Sequence, residues 1–195
     1  DSMNIIKLFN DKYIVTFREN DYISQVIFLY KCWEPTITNI LTDILKDIND
    51  SQDVIFVDIG CNIGYYSIVA SDLCDKIYSF DLNKECINRF YQSLKINNIK
   101  NISIHETCIS DKSGDSYQVP SINYKISPSC INVGGLKAIQ TSNINNTSIT
   151  SSTLDEFVKN EHITHINLLK INIEGGEYNA LLGSSECLKH KIIKN

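Results

Sequence analysis

Apolar and polar residues alternate in several distinct periods along the chain, and each period predicts an element. Ile5-Ile6-Lys7-Leu8-Phe9 and Tyr13-Ile14-Val15-Thr16-Phe17 flank the turn pair Asn10-Asp11, which predicts a β-hairpin over 4–18. A short helix is predicted over 21–31. Pro35 stands where a first helical residue is favoured, and Ile37, Ile40, Leu41, Ile44, Leu45 and Ile48 follow at helical spacing, predicting an amphipathic helix over 35–48. The period then changes. Val54-Ile55-Phe56-Val57 is a continuous β-branched and aromatic run, the mark of a central strand buried on both faces. A glycine-containing turn and a helix over about 65–73 come next. Ile77-Tyr78-Ser79-Phe80 reads as a second strand, and Asn83 as the cap of a helix with Ile87, Phe90, Tyr91 and Leu94 on one face. Ile102-Ser103-Ile104 is a third strand, and 166–173 a fourth.

Strand–helix alternation at this spacing implies βαβ units and a parallel sheet. An N-terminal hairpin and helical segment over 3–52 is expected to pack on an α/β core over 53–195. Residues 110–150 interrupt the alternation. They are rich in Ser, Asn and Gly and contain Pro120, Pro128 and Gly134-Gly135, so a long irregular insertion is expected, with one short strand near 116–119. Leu154-Asp155-Glu156-Phe157-Val158 restarts a helix, and Glu174-Gly175-Gly176 turns into another carrying Tyr178, Leu181 and Leu182.

Composition narrows the class. The 195 residues are 43% hydrophobic and 21% charged, with a net charge of −5, which fits a globular domain rather than disorder. An acidic balance disfavours a large nucleic-acid footprint, and the chain has no apolar run of about 18 residues of the kind that spans a membrane. Seven cysteines without a Cys-x-x-Cys pair argue against a disulfide framework or a zinc ribbon. Buried free thiols in a reducing, cytoplasmic setting are expected. Met3 reads as the native start, with Asp1-Ser2 a remnant of cloning. The sequons at Asn101 and Asn146 carry no weight without a secretion signal.

The strongest chemical signal is Val57-Asp58-Ile59-Gly60-Cys61-Asn62-Ile63-Gly64. A parallel strand ends in an acid, and a glycine-punctuated turn opens a helix. Ligands of open α/β sheets bind beyond the carboxyl ends of the strands. Gly60 and Gly64 would allow close backbone approach. A dinucleotide fingerprint needs G-x-G-x-x-G, whereas the spacing here is G-x-x-x-G. Asp58 suits a cationic amino group better than a pyrophosphate. Asp81, ending the second strand, can accept ribose hydroxyls. S-adenosylmethionine fits both acids. A nicotinamide dinucleotide, or a plain tight turn with two capping acids, remains an alternative.

With those residues in view, the chain resembles class I S-adenosylmethionine-dependent methyltransferases of the FkbM type. The resemblance rests on Trp33-Glu34-Pro35, the loop over 58–64 with Tyr65-Tyr66-Ser67, Phe80-Asp81, Asn97, and Ile109-Ser110-Asp111-Lys112-Ser113-Gly114. It continues through Thr153-Leu154-Asp155 and the block from Lys170 to Glu177, ending near Leu182-Gly183. It implies a Rossmann-like sheet in strand order 3-2-1-4, with the C-terminal strands of a seven-stranded sheet expected to be missing and Ile192-Ile193 at most a stub of the fifth. The fourth strand would then be an open edge unless a tail, further domain or oligomer partner covers it. It implies methyl transfer to a hydroxyl oxygen of a sugar, glycan or small natural product, with S-adenosylhomocysteine as product. It also implies Asp58, Gly60, Asn62 and Gly64 around the methionine part, Asp81 on the ribose, and Glu106, Thr107 and Cys108 beside the adenine. Glu34 and Cys61 are counted with this cofactor-binding set. Asn172 departs from the family's usual Asp, which puts a basic or metal role at that position in doubt.

A hydroxyl acceptor benefits from a general base. Lys170, Asn172 and Glu174 share one face of the fourth strand. Glu174 is the first choice for base or acceptor-binding carboxylate, with Glu177 and Glu34 behind it and Lys170 as an ion partner for these acids. His162 and His165 fall at the wrong end of the sheet, His190 in the tail, and His105 is expected to pack near the adenine. No metal is expected. The insertion, with Asn132, Gly134 and Gly135, is the candidate for acceptor recognition or a lid, with a disordered linker as the alternative reading. Two other classes compete: a non-catalytic cofactor-binding module of a larger protein, and a nicotinamide-dependent oxidoreductase.

Overall fold

The computed structural model describes residues 4–17, 21–48, 53–120, 133, 135–142 and 148–195. Met3, Cys130, Asn132, Gly134 and Asn146 lie outside them.

The hairpin forms from β1 (Asn4–Lys7) and β2 (Tyr13–Thr16), which pair antiparallel. Helices α1 (Tyr22–Tyr30) and α2 (Pro35–Asp47) follow. Asp21 caps α1 by accepting the Ser24 N–H at 2.8 Å, and Pro35 opens α2 where its missing N–H costs nothing. On α2, Leu41 and Leu45 are buried while Ile37 and Ile40 are exposed, so the apolar stripe is wider than the face it buries.

The central sheet comprises β3 (Ile55–Ile59), β4 (Lys76–Asp81), β5 (Ile102–Glu106) and, much later, the strand Leu168–Ile171. Helix α3 (Tyr65–Ala70) links the first pair and α4 (Lys84–Asn97) the second. Asn83 caps α4 as expected, accepting the Glu85 N–H at 3.0 Å. Ile87, Phe90 and Leu94 are buried, but Tyr91 is half exposed and reaches Ile104 O only through its hydroxyl. Asn97 docks the hairpin onto α4. Its side chain accepts the Tyr13 N–H at 2.7 Å and donates to the Tyr13 carbonyl at 2.6 Å, in place of a neighbouring strand.

The expected irregular insertion holds more structure than its composition suggests. Strands β6 (Cys108–Ile109), β7 (Ser116–Gln118), β8 (Ile139–Gln140) and β9 (Ile149–Ser152) form a second sheet in the order β6-β9-β7-β8. Each strand is two to four residues long, too short for alternation to register in the sequence. Helix α5 (Leu154–Asn160), capped by Thr153, leads to β10, the strand Leu168–Ile171 named above. Helices α6 (Glu177–Leu182) and α7 (Ser185–Lys189) complete the element order. Asp155 anchors α7 by accepting the N–H groups of Glu186 and Cys187.

The four core strands are all parallel, in the order β10-β3-β4-β5, which is the expected 4-1-2-3 arrangement. The fold is an α/β Rossmann-like one. The tail continues the sheet at its open edge: Ile166 bridges Ile193 in parallel, and the Leu169 N–H donates to Asn195 O at 2.9 Å. Side chains alternate between two cores. Phe56 and Ile77 join the side under α2, α3 and α4, while Val57, Ile59, Tyr78 and Phe80 join the side under α5 and α7. The six described cysteines are free, and all but Cys32 are buried.

Candidate functional site

The carboxyl ends of the four parallel strands open into one cavity of ≈ 330 Å³. That is within the range of roughly 300–1,000 Å³ found for small-molecule sites. Ile59 ends β3, and Gly60 and Cys61 follow it; Phe80 and Asp81 end β4, and Leu82 and Asn83 follow it; Thr107, Cys108 and Ile109 follow β5; Asn172, Ile173 and Glu174 follow β10. The facing wall comes from outside the sheet. Trp33 and Glu34 precede α2, and the insertion supplies Tyr117, Val119, Val133, Leu136, Lys137 and Ala138. That wall is tied down by Asp21: one oxygen caps α1, and the other accepts the Val133 N–H at 3.0 Å.

Asp81 is the hub of the floor. Its Oδ2 accepts the Asn62 N–H at 2.7 Å, and its Oδ1 accepts those of Leu82 and Asn83 at 2.8 Å. Burial raises its pKa, against the pull of these three bonds. A carboxylate has about four acceptor sites, so three backbone bonds leave room for about one hydroxyl from a ligand. The Asn62 backbone is left-handed, with φ 52°, which turns its N–H toward Asp81. Burial pushes the Cys61 thiol well up, so it lines the cavity as a neutral, weakly polar group.

The model of the methyltransferase FkbM domain matches residues 58–194, more than half of the chain. The chain belongs to the FkbM methyltransferase family. The family's cofactor is S-adenosylmethionine. Among solved structures, similarity is found to an rRNA methylase from Streptococcus thermophilus (24% identity, 34% of this chain and 40% of that one, TM-score 0.32). It extends to a precorrin-6y C5,15-methyltransferase from Geobacter metallireducens (22%, 35% and 38%, TM-score 0.30). A third is a SAM-dependent methyltransferase from Agrobacterium tumefaciens (12%, 54% and 32%, TM-score 0.41). The chain spans less than half the length of each of these three. No curated protein matches significantly.

In this FkbM-family chain the sequence-derived residues separate into two groups. Glu34, Gly60, Cys61, Asn62, Asp81, Thr107, Cys108, Lys170, Asn172 and Glu174 all line the cavity. Asp58, Gly64, Glu106 and Glu177 do not line it. Asp58 was expected to meet a ligand's ammonium, but it is fully buried behind the loop. Lys170 Nζ is 2.9 Å from its Oδ1, and Ser67 Oγ donates to its Oδ2 at 2.7 Å. The cation that satisfies Asp58 is therefore the protein's own. Lys170 was expected to pair with Glu174, Glu177 or Glu34. It instead bonds Asp58 and the Gly60 carbonyl, at 2.9 Å each, and lies 5.1 Å over the Tyr66 ring.

Gly60 lines the cavity, whereas Gly64 serves packing. A Cβ on Gly64 (φ 84°) would fall 2.1 Å from the Phe90 ring. Glu106 is exposed at the end of β5. Glu34 sits in a left-handed conformation (φ 41°, ψ 68°) before Pro35 and accepts a short hydrogen bond from the Tyr66 hydroxyl. His105 stacks on Phe80 at 5.0 Å and packs against Phe157, away from the cavity. His165 Nε2 bonds Asp53 O at 2.7 Å, a structural tie at the far end of the sheet. Among the described residues no three His, Cys, Asp or Glu side chains converge as a metal site.

Glu177 turns back from the site. Its carboxylate accepts the Ile173 N–H at 2.9 Å, and this bond, with the N–H groups of Glu177, Gly175 and Glu174, holds its pKa below 4.5. A depressed folded pKa contributes stability that is fully present above the unfolded value and is lost as pH falls through the folded one. Glu177→Gln should therefore flatten the stability loss below about pH 4.5, read as the melting temperature between pH 6 and pH 3. An unchanged acid limb would remove this role.

Among the polar lining residues, Tyr66, Tyr117, Lys137 and Asn179 were not read as site residues from the sequence. Asn179 lies three residues beyond Gly176, which places it on the same side of α6 as the loop, a signal visible in spacing alone. Tyr117 and Lys137 carried no signal, because the strand pairing that brings the insertion over the sheet is not periodic in sequence.

Proposed function

We propose that the chain catalyses S-adenosylmethionine-dependent methyl transfer to a hydroxyl oxygen of a sugar, glycan or small natural product. The observation that carries the reading is the division of labour along one cavity. Asp81 ends β4 with one acceptor position to spare, and Glu174 follows β10 with no protein partner among the described residues. Glu174 is exposed and left-handed (φ 56°), a conformation costly for a residue with a Cβ. The turn thus holds a carboxylate at the cavity rim at some cost in backbone energy.

The residues fit the cofactor. Asp81 would hold the ribose, Thr107 and Cys108 the adenine edge, and Gly60 to Asn62 the amino-acid portion. When bound, the cofactor supplies an electrophilic methyl group on a sulfonium. The chain's part is to position and deprotonate. Asn172, neutral and facing the cavity, can orient an acceptor hydroxyl but cannot take its proton. Glu174 can take it, as a carboxylate with free lone pairs. Leu136, Val133 and Tyr117 line the cavity with largely apolar surface, which disfavours water as a competing nucleophile.

The test is a hydroxyl-acceptor screen with S-adenosylmethionine, following release of S-adenosylhomocysteine, on wild type and Glu174→Gln. Turnover should fall about 10²–10⁴-fold in the variant, with S-adenosylhomocysteine affinity unchanged. Cofactor binding with no turnover on any hydroxyl would leave a cofactor-binding module. Thermal stabilisation by NAD but not by S-adenosylhomocysteine would leave an oxidoreductase.

A further inference from the structure

The charged groups of the cavity are unequally engaged. Asp81 is spanned by three backbone N–H groups, Glu34 accepts from Tyr66, and Lys170 is held by Asp58 and the Gly60 carbonyl. Lys137 is the exception among the cations. It lines the cavity from the insertion, and no hydrogen bond or ion pair to its ammonium is formed among the described residues. Its Nζ hangs over the turn after β10, 3.6 Å from where a Cβ on Gly175 would stand. Glu174, adjacent in that turn, is not within ion-pair distance, so the two opposite charges share the rim without cancelling.

Position decides what such a cation can meet. Along the strand ends, the cofactor's adenosine half belongs over β5 and β4, and the acceptor belongs at β10, beside Asn172 and Glu174. Lys137 stands at the β10 end. An ammonium there would repel a cationic acceptor, gain nothing from a neutral one, and pair with an anion. Gly175, at φ 95°, places no side chain beneath the ammonium.

We propose that Lys137 is a specificity-determining residue that selects acceptors carrying a carboxylate beside the hydroxyl to be methylated, such as uronic acids or hydroxy acids. The proposal rests on the methyltransferase reading of the same cavity. With the carboxylate on Lys137, the hydroxyl falls to Asn172 and Glu174 across the rim. Like charge keeps the acceptor's carboxylate away from Glu174, so the ligand enters in one orientation.

The experiment separates this from the parent reading. S-adenosylhomocysteine affinity is measured by calorimetry for wild type, Lys137→Met and Lys137→Arg. Saturation-transfer NMR on the S-adenosylhomocysteine-loaded protein then compares glucuronate with glucose, glycerate with glycerol, and 3-hydroxybenzoate with 3-hydroxybenzyl alcohol. The expected result is equal S-adenosylhomocysteine affinity in all three proteins. At least one acid should bind wild type about 10-fold or more tightly than its neutral partner, the equivalent of one charge-assisted pair. That preference should vanish in Lys137→Met and persist in Lys137→Arg. No preference for the acid in any pair, including no binding of either member, overturns the proposal. Weaker S-adenosylhomocysteine binding in Lys137→Met assigns the ammonium to the cofactor's own carboxylate and also overturns it. If wild type does not bind S-adenosylhomocysteine, the methyltransferase reading itself fails and takes this proposal with it.

Discussion

Lys170→Met should destabilise the chain by about 3–5 kcal/mol, because it strips from a fully buried carboxylate the one cation paired with it among the described residues. Asp58 has no exposure, and the Lys170 side chain retains 15%. The cost of an unpaired charge at that depth exceeds what the Ser67 hydroxyl alone can offset. For a chain of this size about 1 kcal/mol corresponds to roughly 2–4 °C, so a fall in melting temperature of about 6–20 °C is expected. The residual exposure of the lysine places the result toward the lower half of that range. The pair also spans two elements, β3 and β10, that are 112 residues apart in sequence and adjacent in the sheet.

The double variant Asp58→Asn/Lys170→Met separates the pair's net worth from the penalty of orphaning a charge. An asparagine can still accept the Ser67 hydroxyl, so the double variant should recover about 2 kcal/mol of what the single variant loses. If Lys170→Met melts within about 2 °C of wild type, the ion pair contributes little to stability. Lys170 also fixes the Gly60 carbonyl, so the double variant should remain impaired in S-adenosylhomocysteine binding even where its stability returns.

This pair also marks the limit of what the sequence shows. The four core strands, the cap at Asn83 and the parallel sheet were legible, because each follows from local period and composition, whereas the strand order came only with the family resemblance. The residues ending the strands were legible as a set, since ligands collect at that edge. The orientation of each was not. Asp58 looked like a ligand group because its neutralising lysine lies on a strand whose register with β3 no local pattern fixes. Glu177 looked like a second acid for the site, but the turn at Gly175-Gly176 exposes N–H groups that draw its carboxylate back. The small sheet of the insertion was illegible for a different reason: strands of two to four residues gain their stability from pairing partners, not from their own propensity.

Gly60→Ala should disable the site more completely than loss of any side chain in it. At φ 81° an alanine already costs about 1–2 kcal/mol in backbone energy. The larger problem is space. The added Cβ would lie 2.0 Å from Asn172 O and 2.8 Å from Ile173 Cγ2. Those atoms belong to the turn that follows β10, and the Asn172 N–H is bonded to Ile59 O at 3.0 Å. The chain cannot relieve the clash by moving a flexible tip, because the nearest atom, Asn172 O, is backbone. It must part β3 from β10 at their carboxyl ends or shift the Gly60–Asn62 loop off Asp81. Overpacking of a rigid site costs about 1–3 kcal/mol, which with the backbone cost gives about 2–5 kcal/mol in all. Either relief also misplaces ligand groups: the first moves Asn172 and Glu174, the second breaks the bond between Asn62 N–H and Asp81. S-adenosylhomocysteine affinity should fall at least about 10-fold, since loss of one hydrogen bond to a charged group costs about 1.5–3 kcal/mol. Calorimetry on the variant, at a temperature where circular dichroism shows it folded, checks this. A folded Gly60→Ala that binds S-adenosylhomocysteine as wild type does would mean that the contact between the β3 loop and the β10 turn does not shape the cofactor site.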